Sequence, residues 1–248
     1  MQDGKARVEI TAFESAITEF RTLHGSDPPS GILLYEEADA WDARSRGLIS
    51  QMWPNFRFDQ PHDINRDGTT SGQVHTLTGA ECLVFFLGGL PDVVTVPPSS
   101  PPIGFSKDPA DPFKTGGARD DAVFEFASDR FTDVDLDGFP EYLGPFSGQS
   151  APFLYASSYG GKGYEAADLV VSTAPALEIG DVYREPDGTP LSTTDNPPYK
   201  RTSFQIIFPG ADNLYGDGGV FDPANPQGLT NPADHDNITN FHSGRLVP

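Results

Sequence analysis

Cysteine is almost absent from this chain, and the single residue present, Cys82, excludes an intrachain disulfide and any cysteine-based zinc site. It stands in the apolar run 82–87, where it reads as a small buried hydrophobe rather than a reactive thiol. Positive charge is scarce too. Sixteen lysines and arginines face 36 acids, for a formal net charge of −20 and a pI near 4.3. No basic stripe exists to neutralise phosphates, which argues against a nucleic-acid partner and disfavours an anionic membrane surface. No apolar run approaches the ~18 residues of a membrane-spanning helix.

Catalytic signatures are missing as well. The five histidines (His24, His62, His75, His235 and His242) form no H-x-x-x-H pair, and no serine occupies a G-x-S-x-G elbow. His235 lies between Asp234 and Asp236, a fragment of a charge relay without its nucleophile. Gly161-Lys162 comes nearest to a phosphate loop, but Ala156 stands where the first glycine belongs and Gly163 where the hydroxyl belongs. Pairs of carboxylates can be chosen almost anywhere among 36 acids, so they carry no information about glycoside hydrolysis. The sequence reads as a non-enzyme.

What the chain does hold is 26 glycines, 24 prolines and a hydrophobic fraction of 37% with 11% aromatic residues. That mixture supports a folded core with long ordered loops. Residues 5–24 form the clearest helix. Ile10, Phe13, Ile17, Phe20 and His24 recur at 3-4-3-4 spacing, Ala16 and Leu23 widen the stripe, and Gly25 followed by Pro28-Pro29 ends it. A second helix is expected over 41–52, on a face of Trp41, Leu48, Ile49 and Met52, and a short third one over 80–87 packed on the first. Strands are expected at 122–127, 141–143, 153–157, 203–208 and 238–240, with loops at 97–102 and 105–117. Helix first and strands later is the order of an α+β domain, a helix laid on an antiparallel sheet. The chain reads as one domain over 1–248, with helix 1–24, a middle 55–150 and a terminal strand and loop 203–248.

The most informative segment is 210–241. Asp212, Asp217, Asp234 and Asp236 sit among glycines in two clusters that one closed loop could unite. Carboxylates and free carbonyls are hard oxygen ligands suited to Ca²⁺, and no soft ligand competes nearby. The four aspartates, with carbonyls near Leu214 or Tyr215, are the candidate ligands. The alternative is a solvated acidic loop, since Asp, Asn, Gly and Pro are ordinary turn residues.

Two ends of the chain resemble one family. The segment 6–20, followed by Gly25 and Pro28-Pro29, resembles the post-membrane half of the helix of type II secretion pseudopilins. Pro209-Gly210-Ala211-Asp212, the glycines at 216–219 and Asp234 to Phe241 resemble the calcium loop of the major pseudopilin, a type IV pilin-like protein. The long Asp/Gly/Pro-rich middle is similar to the enlarged pseudopilin-like proteins of planctomycetes; 55–150 is mostly insertion relative to compact members. The resemblance covers roughly the first 30 and last 45 residues. It implies a pilin-like α+β fold, bound Ca²⁺, and a structural role in a secretion or pilus-like filament. The implied partners are other pilin-like subunits, and the implied place is the periplasmic or extracellular face.

The family's prepilin-peptidase site and apolar stretch of ~20 residues are not in this sequence. It is therefore expected to be either a soluble piece or a chain whose start was placed inside the helix, with membrane contact only through the missing half. If the resemblance holds, residues up to about Phe13 lie exposed, Val8 and Ile10 are partly exposed, and Phe13, Ile17 and Phe20 are buried on the sheet. A secreted calcium-dependent adhesin or glycan-binding module is the alternative. A hydrolase would require His62 or His235 to meet a carboxylate and a hydroxyl.

The middle adds a second calcium-like signal. Asp133, Asp135 and Asp137 occupy positions 1, 3 and 5 of an EF-hand-like loop, with Gly138 at 6 and Glu141 at 9. Position 12 is Gly144, so the closing glutamate is missing. Phe131 and Tyr142-Leu143 look like strand ends, which disfavours a helix–loop–helix. A weaker copy, Asp63, Asn65, Asp67 and Gly68, carries Arg66 inside the loop and Val74 at position 12. For both, an Asx-rich turn is the alternative, and the two segments share too little to count as a repeat.

Overall fold

The computed structural model describes residues 2–90, 100–173, 176–186 and 196–247. They fall into two compact units, one drawn from residues 15–142 and the other from residues 1–14 with 143–248. Helix α1 (Gln2–His24) opens the chain, beginning slightly earlier than its apolar stripe. Ile10, Phe13, Ile17 and Phe20 are buried, as the 3-4-3 spacing requires. Val8 is 72% exposed, as expected. Ile10, by contrast, is only 3% exposed, and Leu23, expected in the stripe, is 63% exposed, because the buried face narrows at the helix end. Gly25, at φ 79°, donates its N–H to the Arg21 carbonyl and closes the helix in the left-handed conformation that glycine tolerates.

In the unit 15–142, β1 (Ile32–Tyr35) pairs antiparallel with β2 (Val74–Leu77), Ile32 facing Leu77. Between them α2 (Ala43–Met52) starts at Asp42, whose carboxylate accepts from the Arg44 and Ser45 N–H groups. Helix α3 (Gly79–Gly88) is buried on every side, which explains its uninterrupted apolar sequence. Phe20 packs edge-on against Phe86 of this helix, 5.9 Å between centroids, rather than on a sheet. Trp53, Phe85, Phe105 and Phe113 complete an aromatic core. The expected loop at 105–117 is a loop, and of 97–102 the part up to residue 99 lies outside the described residues.

The expected strand at 122–127 is not one. Phe124 and Phe126 bury their rings against Tyr142 without joining a ladder, so alternating aromatics here mark packing rather than pairing. β3 (Phe131–Thr132) and β4 (Glu141–Tyr142) pair antiparallel and hold 133–140 between them as a hairpin loop. The flanks of the D-x-D-x-D-G motif are thus strands, as their residues suggested.

The other unit carries β5 (Leu154–Ser157), β6 (Val170–Thr173), β7 (Ala176–Glu178), β8 (Tyr183–Arg184), β9 (Phe204–Phe208), β10 (Gly219–Val220) and β11 (Ile238–Thr239). Three of these form an antiparallel sheet in the order β11-β9-β5, with Leu154 facing Ile207 and Ile238 facing Phe208. Gly144 approaches β9 so closely that a Cβ there would lie 1.8 Å from the Phe208 ring. Phe13 of α1 meets Phe153 edge-on at 5.2 Å. The same half of the helix is tied down by Asp3 with Arg245 and by the Arg7 guanidinium donating to the His242 carbonyl. Among the described residues, three α-helices with small, mostly antiparallel sheets make the class α+β. No helix among the described residues is long and apolar enough to cross a membrane.

Candidate metal centre

Among the described residues, three groups of acids bring carboxylate oxygens within 4.8 Å of one another, and none includes an acid of the terminal loop. Two of them, Asp133–Asp135–Asp137 and Glu81–Asp135–Glu141, share Asp135 and therefore form one constellation of five carboxylates. Four of its members are those read from the hairpin motif. The fifth, Glu81, comes from the first turn of α3.

Local chemistry explains each placement. Asp133 accepts from the N–H groups of Asp137 and Gly138, folding the loop back on its first residue. Leu136 (φ 63°) and Gly138 (φ 95°) take the left-handed conformations this closure needs. Glu141 uses Oε2 to accept from the Val134 N–H at 3.0 Å, and Glu81 uses Oε2 to accept from the Thr78 N–H at 2.5 Å. Each glutamate thereby keeps one oxygen for its backbone neighbour and leaves the other bare. Glu81 Oε1 and Glu141 Oε1 are buried and have no hydrogen-bond partner among the described residues, and both residues are 0% exposed.

A buried carboxylate oxygen without a donor is costly, on the order of 1–3 kcal/mol or more for a charged group. The electrostatics agree. Burial, then repulsion from Asp135 and Asp133, pushes the Glu141 carboxyl up to about 9. Burial, then Asp137, raises Glu81 well above the usual range. Burial, then the neighbouring Asp135 and Asp133, brings Asp137 up to about 6, and burial followed by Asp133 raises Asp135. Such a group of acids resists ionisation on its own, and a divalent cation would reverse the balance. The donors are all hard oxygens, which fits Ca²⁺ or Mg²⁺. Two carboxylate triads that share Asp135 approach the six to eight oxygens Ca²⁺ prefers more closely than the water-rich octahedron of Mg²⁺.

The motif lacks a closing acid at position 12, and Glu81 adds a further carboxylate from 52 residues before Asp133 in sequence. The signal that could have found it is Thr78-x-x-Glu81 ahead of an apolar run, a capping-box pattern that turns the glutamate back toward the helix start.

The terminal loop is arranged differently. Asp234 is buried and accepts from the Tyr183 hydroxyl at 2.6 Å and from the N–H groups of Asp217 and Gly218. Asn237 donates to the Tyr183 hydroxyl and to the Tyr215 carbonyl, so that carbonyl already has a partner. A Cβ on Gly216 would lie 2.5 Å from the Asp234 carboxylate, and one on Gly210 2.2 Å from that of Asp236. These glycines let two acids touch backbone. Asp236 Oδ2 accepts from the Ala211 N–H, whereas its Oδ1 is buried without a partner. Asp212 accepts from the Leu214 N–H, and burial followed by the charge on Asp236 raises its carboxyl. Leu214 itself is exposed. The four aspartates are thus divided between two places, an Asp234–Asp217 corner and an Asp212–Asp236 pair.

Of the histidines, His62 meets Asp111 Oδ1 at 3.0 Å and the Arg57 carbonyl at 2.8 Å, and His235 Nε2 meets the Leu229 carbonyl. Compared with family models, curated proteins and solved structures, the chain matches none.

Proposed function

We propose that this chain is a non-catalytic structural subunit of pseudopilin type, ordered by calcium, whose partners are other pilin-like subunits on the periplasmic or extracellular side. The observation that carries the reading lies in the unit of residues 1–14 and 143–248. There the first half of α1 packs through Phe13 against Phe153, the residue that leads into β5 of the three-stranded sheet, and β11 of that sheet follows directly from the Asp/Gly-rich terminal loop. A helix on an antiparallel sheet, with an acidic loop between the last two strands, is the arrangement that the resemblance at the two chain ends implies. Val8, an exposed apolar residue on this helix half, suits contact with a neighbouring subunit.

Calcium in this reading sits first in the hairpin loop 133–141 with Glu81, because that is where bare buried carboxylate oxygens converge. In the terminal loop the Asp212–Asp236 pair remains the candidate, through Asp236 Oδ1.

One observation favours the alternative, a calcium-dependent binding module. The unit 15–142 has an open cleft of about 510 Å³ lined by Pro102, Arg119, Asp120, Phe124, Glu125 and Phe126, a mixture of rings and charges suited to a polar ligand such as a glycan. Sequencing the native locus separates the two. An in-frame apolar stretch of ~20 residues preceded by a prepilin-peptidase site supports the filament subunit. Its absence overturns that reading and leaves the binding module.

A further inference from the structure

We propose that the segment 63–68 is a second divalent-cation loop, weaker than the first and completed by Glu36 from the end of β1. The site lies wholly within the unit 15–142 and does not depend on the pseudopilin reading. It joins Asp63, Asp67 and Glu36, whose carboxylate oxygens lie within 4.8 Å of one another.

The observation that points to a ligand is Glu36. This side chain is 0% exposed, and its Oε2 has no hydrogen-bond partner among the described residues. Its other oxygen is fully engaged, accepting from the N–H groups of Ile64 and Asn65 at 2.7 and 3.0 Å and lying 3.1 Å from His75 Nε2. Asp63 Oδ1 is a second buried oxygen without a partner, while Oδ2 accepts from the Gly68 N–H. A buried glutamate held by backbone on one side and bare on the other is the division of labour seen in Glu141 and Glu81.

The correspondence extends to register. Ile64 and Val134 are each the second residue of their motif, and the N–H of each donates to a buried glutamate, Glu36 in one loop and Glu141 in the other. The first aspartate accepts from the N–H of the sixth residue in both, Asp63 from Gly68 and Asp133 from Gly138. Arg66 and Leu136, the fourth residues, share φ 63°. The two motifs thus use one loop conformation although their sequences agree in little beyond the acids and the glycine.

Three differences set the second loop's strength. Asn65 replaces an aspartate at position 3, so the ring carries one charge fewer. Among the described residues, no counterpart of Glu81 joins the group. Asp67 is already bonded by Thr69, Gln73 and Asn65, with the Thr69 hydroxyl first among the causes that hold its carboxyl below the usual carboxylate range. Fewer charges and competing donors predict weaker binding with retained oxygen-only selectivity.

The test is calcium titration of metal-stripped protein by calorimetry, with equilibrium dialysis to count bound ions. Asp63→Asn and Glu36→Gln should each bind one Ca²⁺ fewer than the parent by losing the weaker phase, with far-UV circular dichroism unchanged. Glu81→Gln should instead weaken the tighter phase. Asn65→Asp restores the missing charge and should shift the weaker phase to lower calcium, a gain that no folding defect can imitate. Unchanged ion counts in Asp63→Asn, or an Asn65→Asp titration that superimposes on the parent's, would overturn the proposal.

Discussion

Two acidic loops in this molecule have similar composition and opposite internal economies. In the terminal loop, Asp234 is buried with a tyrosine hydroxyl and two backbone N–H groups supplying its hydrogen bonds. At the hairpin loop, Glu141 and the Glu81 that α3 brings to it are equally buried, and each leaves an oxygen with no donor among the described residues. The first arrangement is self-sufficient: the protein provides the positive ends of the dipoles. The second leaves carboxylate oxygens that a proton or a cation would have to satisfy, and in the calcium reading proposed above it is the cation. Counting aspartates does not separate these cases. Asking what donates to each oxygen does.

The contrast is broken most forcefully at Asp234. Asp234→Ala would strand the Tyr183 hydroxyl and two N–H groups in a buried corner, and the expected loss is about 3–5 kcal/mol, since each orphaned buried group costs roughly 1–3 kcal/mol. Denaturant unfolding should show the same loss with calcium and with chelator. A loss seen only with calcium would make Asp234 a metal ligand and erase the difference between the loops.

Calcium removal comes next. Binding to the folded form alone stabilises by about 2.7 kcal/mol at a hundredfold excess over Kd. The melting midpoint should therefore rise with calcium in the parent and rise much less in Glu141→Gln and Glu81→Gln, where only the weaker loop 63–68 still responds. Magnesium should give a smaller shift, because it demands a tighter octahedron than this side-chain set offers. A calcium response that survives both substitutions undiminished would move the tighter ion elsewhere.

Titration gives an effect that is smaller per pH unit and has a definite sign. Glu141 is raised to about 9 in the folded chain, so over the range from its unfolded value near 4.5 up to that point the native state holds a proton that the unfolded state has lost. Metal-free stability should then fall as pH rises through that window, by at most about 1.4 kcal/mol per pH unit from this group. Glu141→Gln should flatten the slope. Calcium should flatten it as well, because the cation favours the ionised form, and calcium affinity should weaken as pH falls. A metal-free protein whose stability rises between pH 5 and 8 would contradict the raised carboxyls.

What the sequence disclosed follows the range of each interaction. Helix α1 was legible because Ile10, Phe13, Ile17 and Phe20 repeat within a few residues, and the hairpin motif because its turn geometry is local. β1 escaped notice because Ile32, Leu33, Leu34 and Tyr35 are all apolar, so its alternation of buried and half-buried residues leaves no trace in the sequence. Glu36 and Glu81 were missed as candidate ligands because folding brings them to loops 27 and 52 residues away in the chain. The hydrogen bond from Tyr183 to Asp234 was not legible because the tyrosine lies 51 residues upstream and nothing local announces it.

The finest test of the contrast is Asp236, the one terminal acid with a foot in each camp. Its Oδ2 accepts from the Ala211 N–H at 2.6 Å, its Oδ1 is buried without a partner among the described residues, and after burial its charge helps to raise the Asp212 carboxyl. If the hairpin loop carries the calcium response, Asp236→Asn should cost only about 1 kcal/mol, the typical net value of a charge-assisted bond to an exposed backbone group. The calcium-induced shift in midpoint should then equal the parent's. If the terminal loop binds calcium as the pseudopilin resemblance implies, the same substitution should reduce that shift, and Asp212→Asn should reduce it equally. Thermal melts of both variants, with calcium and with chelator, decide between a terminal loop closed by protein donors alone and one that shares the hairpin loop's need for a cation.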